Sequence, residues 1–551
     1  MSQKTGLIFK IAAEEWEFEQ IHRLNYRTFV EEIPQHQRNA EGRLVDKFHA
    51  ENIYIVGLDA GRVVAMVALR GRRPFSLDQK MPDLDRHIPA GFVPCEVRLL
   101  VVDKDYRGTA VCAALLGTLA TEAIRIGYDL ALISGTTRQL RLYRHMGFQP
   151  FGPLVGSGEA VFQPMLLSLE DFDAHSGDTM VGGLHKPVAD PANFLPGPVP
   201  VSAAVRAAFE QLPLSHRSRN FVLGFREVRK SAAAMVHARH AAILLGSGTM
   251  ANDVVAQQLR LLDAPGIVLS QGEFGERLVD HARRAGLRFR TLAIGWGESF
   301  GLDQLRWFLD QQPEARWLWM VHGETSTSVL NDLGPLKQLA AARGLKLCLD
   351  CMSTLGVVPL DLRGVHLATG TSGKGLASYP GLSLVFHHHD VPPEPEKIPR
   401  YLDLGCWSQG DGVPFTHSSN LLAALAAALE RGNWEEKFAR TRDTAAALRK
   451  SLHELGFLLV GADEHASPGI VTVALPPQRS ARSLGWQLEK LGYLVSYRSD
   501  YLLRRNWIQI ALMGEFDSGR LDDLLRELRK LVPAAATPPV PMGSLVLLPS
   551  S

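Results

Sequence analysis

From about residue 240 onward, the chain alternates short apolar runs with longer segments of helical pattern, and this alternation limits the possible folds more than any other feature. The candidate strands are residues 243–245, 266–269, 317–321, 345–349 and 382–386. Strands that alternate with helices form a mostly parallel sheet with helices on both faces. Ligands of such sheets bind where the strands end, so the residues just after each strand are the first candidates for a functional site.

The chain is too long for one such sheet. At about 150 residues per domain, its 551 residues predict three or four domains. The stretch 176–200 is rich in Gly and Pro, which interrupt regular structure, so we expect a domain boundary there. The expected division is a first domain at 1–175, a linker at 176–195, a large domain at 196–435, a small domain at 436–535 and a flexible tail at 536–551.

Composition excludes several classes of protein. The formal net charge is +1, which argues against a dedicated nucleic-acid binder, since such proteins usually carry a basic excess. Five cysteines are too few for a disulfide scaffold and are typical of a reducing compartment. No segment has the pattern of an export signal or of a membrane span. We therefore expect a cytoplasmic enzyme.

Three polar features follow strands in the C-terminal part. Small residues from Gly246 to Asn252 open a helix, and backbone N–H groups at a helix N-terminus bind anions. Asp350 ends one strand, and Lys374 lies among small residues before another. Each feature alone is also compatible with a plain turn or a solvated loop. Together they supply a phosphate cradle, an acid for a pyridinium nitrogen and a reactive lysine, the three anchors of pyridoxal phosphate.

A series of motifs then carries a family resemblance. The motifs are PGPVP at 196–200, HRS at 216–218, GSGT at 246–249, GEFGER at 272–277, HGETST at 322–327, Asp350, SGK at 372–374 and MG at 513–514. On these residues the C-terminal part resembles the class V (fold type I) aminotransferases, close to the alanine/serine–glyoxylate and 2-aminoethylphosphonate branches. The resemblance implies a large α/β domain with a parallel sheet, followed by a small α+β domain, and an amino transfer to a 2-oxo acid or aldehyde.

The resemblance also implies residue roles. Lys374 would form the covalent link to the cofactor and shuttle the proton, while Asp350 would keep the pyridine nitrogen protonated. Phe274 would stack on the ring. The other implied cofactor-binding residues are Ser247, Gly248, Thr249, Thr325, Met352 and Ser372. Thr416 and Ser419 match a segment that the family contributes across a subunit interface, so a homodimer is implied.

One position departs from the family pattern. The family has Arg-Ile-Gly-x-x-Gly near the C-terminus, and that arginine grips the substrate carboxylate with two parallel hydrogen bonds. This chain has Gln509 there, which carries no charge. Arg504 and Arg505 are nearby candidates for substrate binding, although solvated surface positions explain them equally well. A substrate without a carboxylate on its amino carbon, or a lyase or decarboxylase reaction, therefore stays open.

Two groups contain metal-ligand residue types. Cys348 and Cys351 form a C-x-x-C pair, but a zinc site of this kind needs a second pair. His387, His388 and His389 follow a strand, where polar residues are expected at its exit. We expect no metal at either group.

The N-terminal part predicts a mixed α/β domain with a second set of polar residues. A strand follows Glu96, and a loop then leads into a helix over 110–126. Such a strand-to-helix turn offers N–H groups to a pyrophosphate, and the candidate cofactor residues are Val102, Arg107, Gly108, Thr109 and Ala110. Glu96 is a candidate to take a proton from an amine, and Tyr143 to give one to a leaving thiolate. Both also fit plain structural roles, as a strand residue and a packing aromatic.

The order of these pieces resembles the GNAT acyltransferase fold. The stretch 142–148 matches its motif of an aromatic residue, Tyr and Gly-Phe, whereas Ala110 and Cys112 depart from its glycine-rich cofactor loop. A closer resemblance is to the acyl-homoserine lactone synthase and N-acyl amino acid synthase branch. It is carried by YRTFVEE at 26–32, DKF at 46–48 and EVR at 96–98. These resemblances imply acyl-CoA or acyl-carrier protein as the acyl donor.

The sequence thus predicts a bifunctional enzyme, with a pyridoxal-phosphate-dependent aminotransferase fused to an N-acyltransferase that uses an acyl thioester. Two alternatives remain. In one, the C-terminal part is a lyase or decarboxylase. In the other, the N-terminal part is a binding module that senses an acyl thioester without catalysis.

Overall fold

The computed structural model describes residues 6–33, 36–89, 91–157, 160–176, 188, 190–430 and 432–532. The expected tail at 536–551 and most of the expected linker at 176–195 lie outside the described residues. The chain divides into two compact units. The first takes the residues up to 190 together with 475–492 and 497–506, and the second takes the remainder. The domain boundaries expected from the sequence stay a prediction.

The N-terminal portion contains eight strands and four helices among its described residues. They are β1 Ile8–Ile11, α1 Glu15–Tyr26, β2 Ile53–Asp59, β3 Arg62–Arg70, β4 Pro94–Val102, α2 Val111–Ile126, β5 Leu130–Thr136, α3 Leu140–His145, β6 Gln149–Pro150, β7 Val155–Ser157, β8 Ala160–Ser168 and α4 Leu169–Ser176. Successive residues of a strand point to opposite faces of the sheet, and helices cover both faces. Tyr54 and Val56 pack with Ile21 of α1, whereas Ile55 packs with Leu115 of α2.

These strands form one sheet in the order β1-β2-β3-β4-β5-β8-β6, with β7 paired to β8. Neighbours from β1 to β4 are antiparallel, whereas β4 and β5 are parallel. The ladder between β4 and β5 joins only 94–96 to 130–132, and both strands continue past it. Leu99 has a φ of 53° next to a register irregularity between β3 and β4. Such a bulge bends its strand, so β4 is free to diverge from β5.

The remainder of the chain continues the strand–helix alternation. Its elements are β9 Ala192–Asn193, α5 Ala203–Phe209, α6 Arg219–Met235, β10 His240–Leu245, α7 Gly248–Leu261, β11 Gly266–Ser270, α8 Glu273–Arg284, β12 Phe289–Ala293, α9 Leu302–Asp310, β13 Trp317–Val321, β14 Gly323–Glu324, β15 Val329–Leu330, α10 Leu333–Ala342, β16 Lys346–Asp350, β17 Leu367–Thr371, β18 Leu382–His387, α11 Leu404–Ser408, α12 Ser419–Leu429, α13 Trp434–Glu454, β19 Leu458–Leu459, β20 Ile470–Ala474, α14 Ala481–Lys490, β21 Tyr493–Leu494, α15 Asp500–Arg505, β22 Trp507–Ala511 and α16 Ser518–Leu531.

The second unit is built on a seven-stranded sheet in the order β10-β18-β17-β16-β13-β11-β12. β12, β11, β13, β16 and β17 are parallel, and β18 is antiparallel to both of its neighbours. Val268 packs with α7 and α8 on one face, whereas Ile267 packs with α6, α9 and α10 on the other. The expected mostly parallel sheet with helices on both faces is therefore confirmed. A smaller antiparallel sheet of β19, β20 and β22 follows.

Helices α14 and α15 group with the first unit although they come late in the chain. At the start of α14, the Ser480 hydroxyl donates to the buried carboxylate of Asp129, which also accepts from the Val93 N–H at 2.6 Å. Trp486 of α14 packs against Ile124 of α2. Burial raises the pKa of Asp129 to about 6, and the hydrogen bonds from Ser480 and Val93 oppose this rise.

Within the described residues, no helix is both long enough and apolar enough to cross a bilayer.

Asp129 predicts a pH dependence of stability. Its folded-state pKa lies above the usual 3.8, so the native state holds the proton more tightly than the unfolded state. Its contribution is therefore full below about pH 4 and is lost as pH rises through about 6, with a loss of about 3 kcal/mol. Urea unfolding across this range should show that decline in the wild type and not in Asp129→Asn.

Asp85→Asn is the matched control, because the Asp85 side chain is 82% exposed. We expect its pH profile to follow the wild type. Parallel profiles for Asp129→Asn and the wild type would contradict the prediction.

Candidate functional sites

The second unit collects its polar residues where the parallel strands end. Asp350 ends β16, and Lys374 follows β17. Phe274 lies in the first turn of α8, just after β11, and Gly248 begins α7 just after β10. The carboxyl ends of parallel strands share one edge of a sheet, which brings residues of distant sequence positions together.

The carboxylate of Asp350 is held in a fixed orientation. It accepts a hydrogen bond from Asn252 Nδ2 at 2.7 Å and another from the Met352 N–H at 2.9 Å. Asn252 in turn accepts from the Thr369 hydroxyl at 2.9 Å. Asn252 was part of the glycine-rich motif but received no role from the sequence. Its position one helical turn after Gly248 was the available signal.

Lys374 is partly buried beside an aromatic ring. Its Nζ lies 5.3 Å from the centre of the Phe274 ring, and the Arg277 guanidinium lies 4.9 Å from the same centre. Burial lowers the pKa of Lys374, the charges of Asp350 and Glu324 oppose this, and Arg277 lowers it further. A lysine with a lowered pKa is more often neutral, and a neutral amine is a nucleophile.

Glu324 is a residue of the candidate site to which the sequence motifs gave no role. It lies in the quoted HGETST motif and is fully buried. Its carboxylate accepts from the N–H groups of Phe274, Gly275 and Ser326 and from the Ser326 hydroxyl, at distances from 2.5 to 3.3 Å. It therefore caps the start of α8 and anchors the backbone that carries Phe274. Burial raises the pKa of Glu324.

The other predicted cofactor residues lie at the start of α7 and just after β16 and β17. Ser247 is the N-cap of α7, yet its side chain makes no capping hydrogen bond, and Thr249 is exposed in the first turn. A Cβ on Gly248 would meet Met352 Sδ at 2.5 Å, so these two residues are in contact. The Ser372 hydroxyl donates to Tyr379 O at 2.6 Å within its own loop.

Thr325, Thr416 and Ser419 complete the predicted set. Thr325 is buried, and its carbonyl accepts from Gln509 Nε2 at 2.7 Å. Thr416 is exposed before α12. Ser419 accepts from the Leu214 N–H at 2.8 Å at the start of α12. Ser419 is therefore bonded to the segment that contains Leu214, which is not one of the segments around Lys374.

The residues present fit pyridoxal phosphate. An oriented carboxylate, a lysine of lowered pKa and an aromatic face lie at one strand edge. The N-terminus of α7 retains an N-cap hydroxyl that does not cap its own helix, which suits a phosphate group. This donor set combines the anion site, the acid and the amine that the cofactor needs.

The departure at Gln509 has a structural consequence. Its side chain is fully buried, and Nε2 donates to Thr325 O, to Ser326 O at 3.3 Å and to Thr472 Oγ1 at 2.9 Å. The amide is therefore bonded within the protein. Arg504 and Arg505 lie in α15, which groups with the first unit, and their side chains are exposed.

The two groups with metal-ligand residue types are either buried or in contact with nearby backbone carbonyl oxygens. Cys348 and Cys351 are buried, and burial raises the pKa of both thiols. His387 is within 2.7 Å of His389 O through Nδ1, and His388 Nε2 is within 2.9 Å of Leu362 O. Over the described ranges, no group of three His, Cys, Asp or Glu residues has the arrangement of a metal site.

The first unit contains a large cavity of about 1110 Å³. It lies where β4 and β5 lose their pairing. Residues 95–100 of β4 and residues 130, 131, 133 and 134 of β5 line it. One part of its lining is apolar and comes from helices and the sheet, namely Leu116, Leu119, Ala120, Ala123, Met146, Phe148, Leu167 and Phe172. Another part is polar, namely Asp46, Lys47, Ser76, Lys80, Glu96, Arg98 and Ser134. The cavity therefore suits a ligand with one apolar and one polar portion.

Glu96 is fully buried at the end of the β4–β5 ladder. Its Oε1 accepts from the Ser76 hydroxyl at 2.5 Å and the Leu77 N–H at 3.1 Å, and its Oε2 accepts from the Ser76 N–H at 2.8 Å. Three donors from one neighbouring turn thus orient the carboxylate. Ser76, like Asn252 and Glu324, received no role from the sequence.

Tyr143 lines the same cavity as Glu96 and packs edge-on against Phe148. The predicted cofactor-binding residues Val102 and 107–110 are not among the residues that line this cavity. In that loop Arg107 bonds to Val102 O at 2.9 Å and to Glu32 at 2.7 Å, and Gly108 has a φ of 75°. Thr109 and Ala110 lead directly into α2.

Comparisons with known proteins match both parts of the chain. Residues 20–169 match the N-acyl amino acid synthase FeeM family, and residues 205–398 match the class-V aminotransferase family. The soluble hydrogenase 42 kDa subunit of Anabaena cylindrica is 31% identical in an alignment of 332 residues that covers 56% of this chain and 83% of that protein. The 2-aminoethylphosphonate–pyruvate transaminase of Aeromonas hydrophila is 28% identical over 51% of this chain and 79% of that protein. The solved alanine–glyoxylate aminotransferase from Nostoc sp. aligns with a TM-score of 0.56 at 26% identity, over 63% of this chain and 97% of that one.

Glu324 predicts a measurable loss of stability. In Glu324→Ala, the N–H groups of Phe274, Gly275 and Ser326 lose their acceptor inside the protein. We expect the free energy of unfolding to fall by about 3 kcal/mol, because each unpaired buried donor is costly. Urea denaturation followed by circular dichroism measures this change.

The control is Asp303→Ala, since the Asp303 side chain is 96% exposed and its removal should change the unfolding free energy by less than about 1 kcal/mol. Equal effects of the two substitutions would show that Glu324 does not anchor α8.

Proposed function

Since this chain belongs to the class V aminotransferases and carries an N-terminal domain of the N-acyl amino acid synthase family, we propose that one site makes or consumes an amine while the other acylates an amine. Fusion of the two activities in one chain is the reason to couple them. The cavity of the first unit is the observation that carries the acylation half, because it has apolar and polar parts beside an oriented carboxylate.

In the second unit, Lys374 would hold the cofactor covalently, and its Nζ is the atom that would carry a proton. Pyridoxal phosphate, when bound, supplies a conjugated ring that withdraws electrons from the substrate's amino carbon. Asp350 would pair with the ring nitrogen, and the hydrogen bond from Asn252 holds that carboxylate in one orientation. Phe274 would offer the ring an aromatic face, and the α7 N-terminus with Ser247 would bind the phosphate.

Thr416 and Ser419 serve the site of a second copy, so the working form is a homodimer. This proposal rests on the family resemblance of their segment and on the bonding of Ser419 to Leu214 instead of to residues near Lys374. A cytoplasmic location goes with it, since all five cysteines are unpaired.

In the first unit, the acyl donor is acyl-CoA or an acyl-carrier protein. Sites for small molecules are usually about 300–1,000 Å³, so a cavity of about 1110 Å³ leaves room for a long acyl chain beside the acceptor. Glu96 accepts a hydrogen bond from the attacking amine and takes its proton. Tyr143 donates a proton to the leaving thiolate.

Gln509 favours a second candidate for the C-terminal activity. Without the arginine of the family pattern, a 2-oxo acid loses its bidentate partner, and the buried amide of Gln509 is bonded to the protein. A lyase or decarboxylase reaction needs no 2-oxo acid acceptor. The alternative for the first unit is a module that binds an acyl thioester without transferring the acyl group.

Lys374→Ala tests the C-terminal half. The wild type reconstituted with pyridoxal phosphate should show a visible absorption band, and borohydride should fix the cofactor to the peptide that contains Lys374. Both signals should be lost in Lys374→Ala and kept in Lys397→Ala, whose lysine is exposed and pairs with Glu394. A colourless wild type would overturn the cofactor assignment.

The same preparation distinguishes amino transfer from a lyase or decarboxylase reaction. Product masses from an amine panel, with and without pyruvate, should show amino transfer only when pyruvate is present. Product formation without any acceptor would favour the lyase or decarboxylase.

Acyl transfer tests the N-terminal half. Lauroyl-CoA and lauroyl-carrier protein are offered with a panel of amines, and N-lauroyl products are measured. Glu96→Gln and Tyr143→Phe should each lower kcat by about 100-fold or more, whereas Glu15→Gln at an exposed position should not. Binding of lauroyl-CoA without transfer to any amine would favour the sensing module, and unchanged rates in both variants would reject these catalytic roles.

A further inference from the structure

A lysine of α13 donates to the backbone directly beside the reactive lysine. Lys437 is half-buried, and its Nζ donates a hydrogen bond to the carbonyl oxygen of Gly375, the residue that follows Lys374. The same Nζ lies 5.1 Å from the centre of the Trp434 ring, one turn earlier in the helix. The proposed chemistry uses no second lysine, yet Lys437 is directed at the loop that carries Lys374.

The position of Gly375 cannot be held by a side chain of its own. A Cβ at this residue would collide with Leu355 O, so only glycine fits there. A Cβ on Gly356 would in turn lie 2.6 Å from Gly375 O. The peptide of Gly375 is therefore in close contact with residues 355–356, and the residue is buried. A buried carbonyl needs a donor, and Lys437 supplies one from another helix.

The rest of the loop between β17 and β18 is held by its own hydrogen bonds. Ala377 N–H donates to Lys374 O at 2.8 Å, and Ser378 N–H donates to Ser372 O at 3.1 Å. Ala377 has a φ of 54°, a conformation that a residue with a side chain keeps only when its surroundings hold it there. Both hydrogen bonds enclose Gly375, so its carbonyl is a point at which α13 fixes the loop.

The side chain of Lys374 has little room to follow a shift of this loop. A Cβ on Gly197 would lie 3.5 Å from Lys374 Cγ and 3.2 Å from Gly373 O, so the stem of Lys374 passes close to that backbone. At the other end of the stem, Nζ lies 5.3 Å from the centre of the Phe274 ring. A displaced loop would therefore press the stem against Gly197 or draw Nζ away from Phe274.

We propose that Lys437 is a positioning residue, which holds the carbonyl of Gly375 and thereby keeps Lys374 Nζ at the place where the cofactor is attached. This inference rests on the proposed role of Lys374 and adds a determinant of its position that comes from α13. A hydrogen bond from an ammonium is charge-assisted and about twice as strong as a neutral one, which suits a hold at a single atom. Lys437 acts through the backbone and contacts neither cofactor nor substrate.

The test measures how fast pyridoxal phosphate becomes attached to the full chain, followed by the visible band after mixing. Attachment forms a double bond between Nζ and the aldehyde carbon, and the aldehyde oxygen leaves as water with two protons from the amine. Lys437→Met removes the donor and keeps an apolar stem. We expect its rate constant to fall by about 10- to 100-fold, because a misplacement of about 1 Å can cost that much. Lys437→Arg keeps a charged donor and should stay within about threefold of the wild type.

Lys450→Met is the matched control. Lys450 lies in the same helix, its side chain is 79% exposed, and its Nζ is 3.9 Å from Glu454. Its loss removes the same charge from α13 at a distance from the loop in sequence, so the rate of attachment should equal that of the wild type. Equal rates in Lys437→Met and Lys450→Met would overturn the inference.

A second readout needs no cofactor. Hydrogen exchange of the cofactor-free chain reports on the N–H groups of Ala377 and Ser378, which close the loop. In Lys437→Met their exchange should be faster by about tenfold or more, whereas peptides from β10 should exchange as in the wild type. Unchanged exchange in the loop would show that Lys437 does not hold it, and the inference would then be wrong.

The two readouts separate this inference from the proposed function. If the wild type stays colourless while the loop of Lys437→Met exchanges faster, the cofactor assignment fails and the positioning of the loop stands. If the wild type is coloured and Lys437→Met matches its rate of attachment, the inference fails alone, whatever the melting temperature of the variant. Lys437→Gln keeps a neutral donor and replaces Lys437→Met in both measurements if that variant does not fold.

Discussion

Buried carboxylates satisfied by backbone N–H groups are the interaction on which both units depend. Glu324 receives three N–H groups and thereby anchors the start of α8. Glu96 is held by the turn at Ser76, and Asp350 by the Met352 N–H and Asn252. An ionised group inside a protein is tolerated only when donors replace its water. Each carboxylate therefore fixes a loop relative to a strand, and the side chains carried by that loop acquire fixed positions.

The two units make room for ligands by opposite means. In the second unit the parallel strands stay paired, and the site forms beyond their ends, where loops from distant parts of the sequence meet. In the first unit the site forms inside the sheet, because β4 and β5 pair over only three residues. The first arrangement surrounds a ligand with several loops, and the second provides a cavity lined by polar and apolar residues of one sheet and its helices. Aminotransferase and acyltransferase chemistry thus use different features of α/β architecture.

Local patterns explain what the sequence could predict. The strands of the large sheet are short apolar runs, and Asp350 and Lys374 lie in contiguous motifs, so their positions followed from neighbours in the chain. Asn252 was harder to assign, because its partner is 98 residues away. Lys80 received no role for the same reason, since it lies in a turn and its partner Ser134 lies in β5, 54 residues away. The grouping of α14 with the first unit depends on contacts between residues more than 350 positions apart, such as Asp129 and Ser480.

That grouping sets an order of events during synthesis. The first unit begins near the N-terminus, yet two of its helices come from residues 475–492 and 497–506. Until the ribosome has passed this region, the Asp129 carboxylate lacks its hydroxyl donor and Ile124 lacks the indole of Trp486. The acyltransferase unit therefore reaches its final form only after nearly all of the aminotransferase has been translated. A single cut between the two activities would leave the N-terminal piece without part of its own structure.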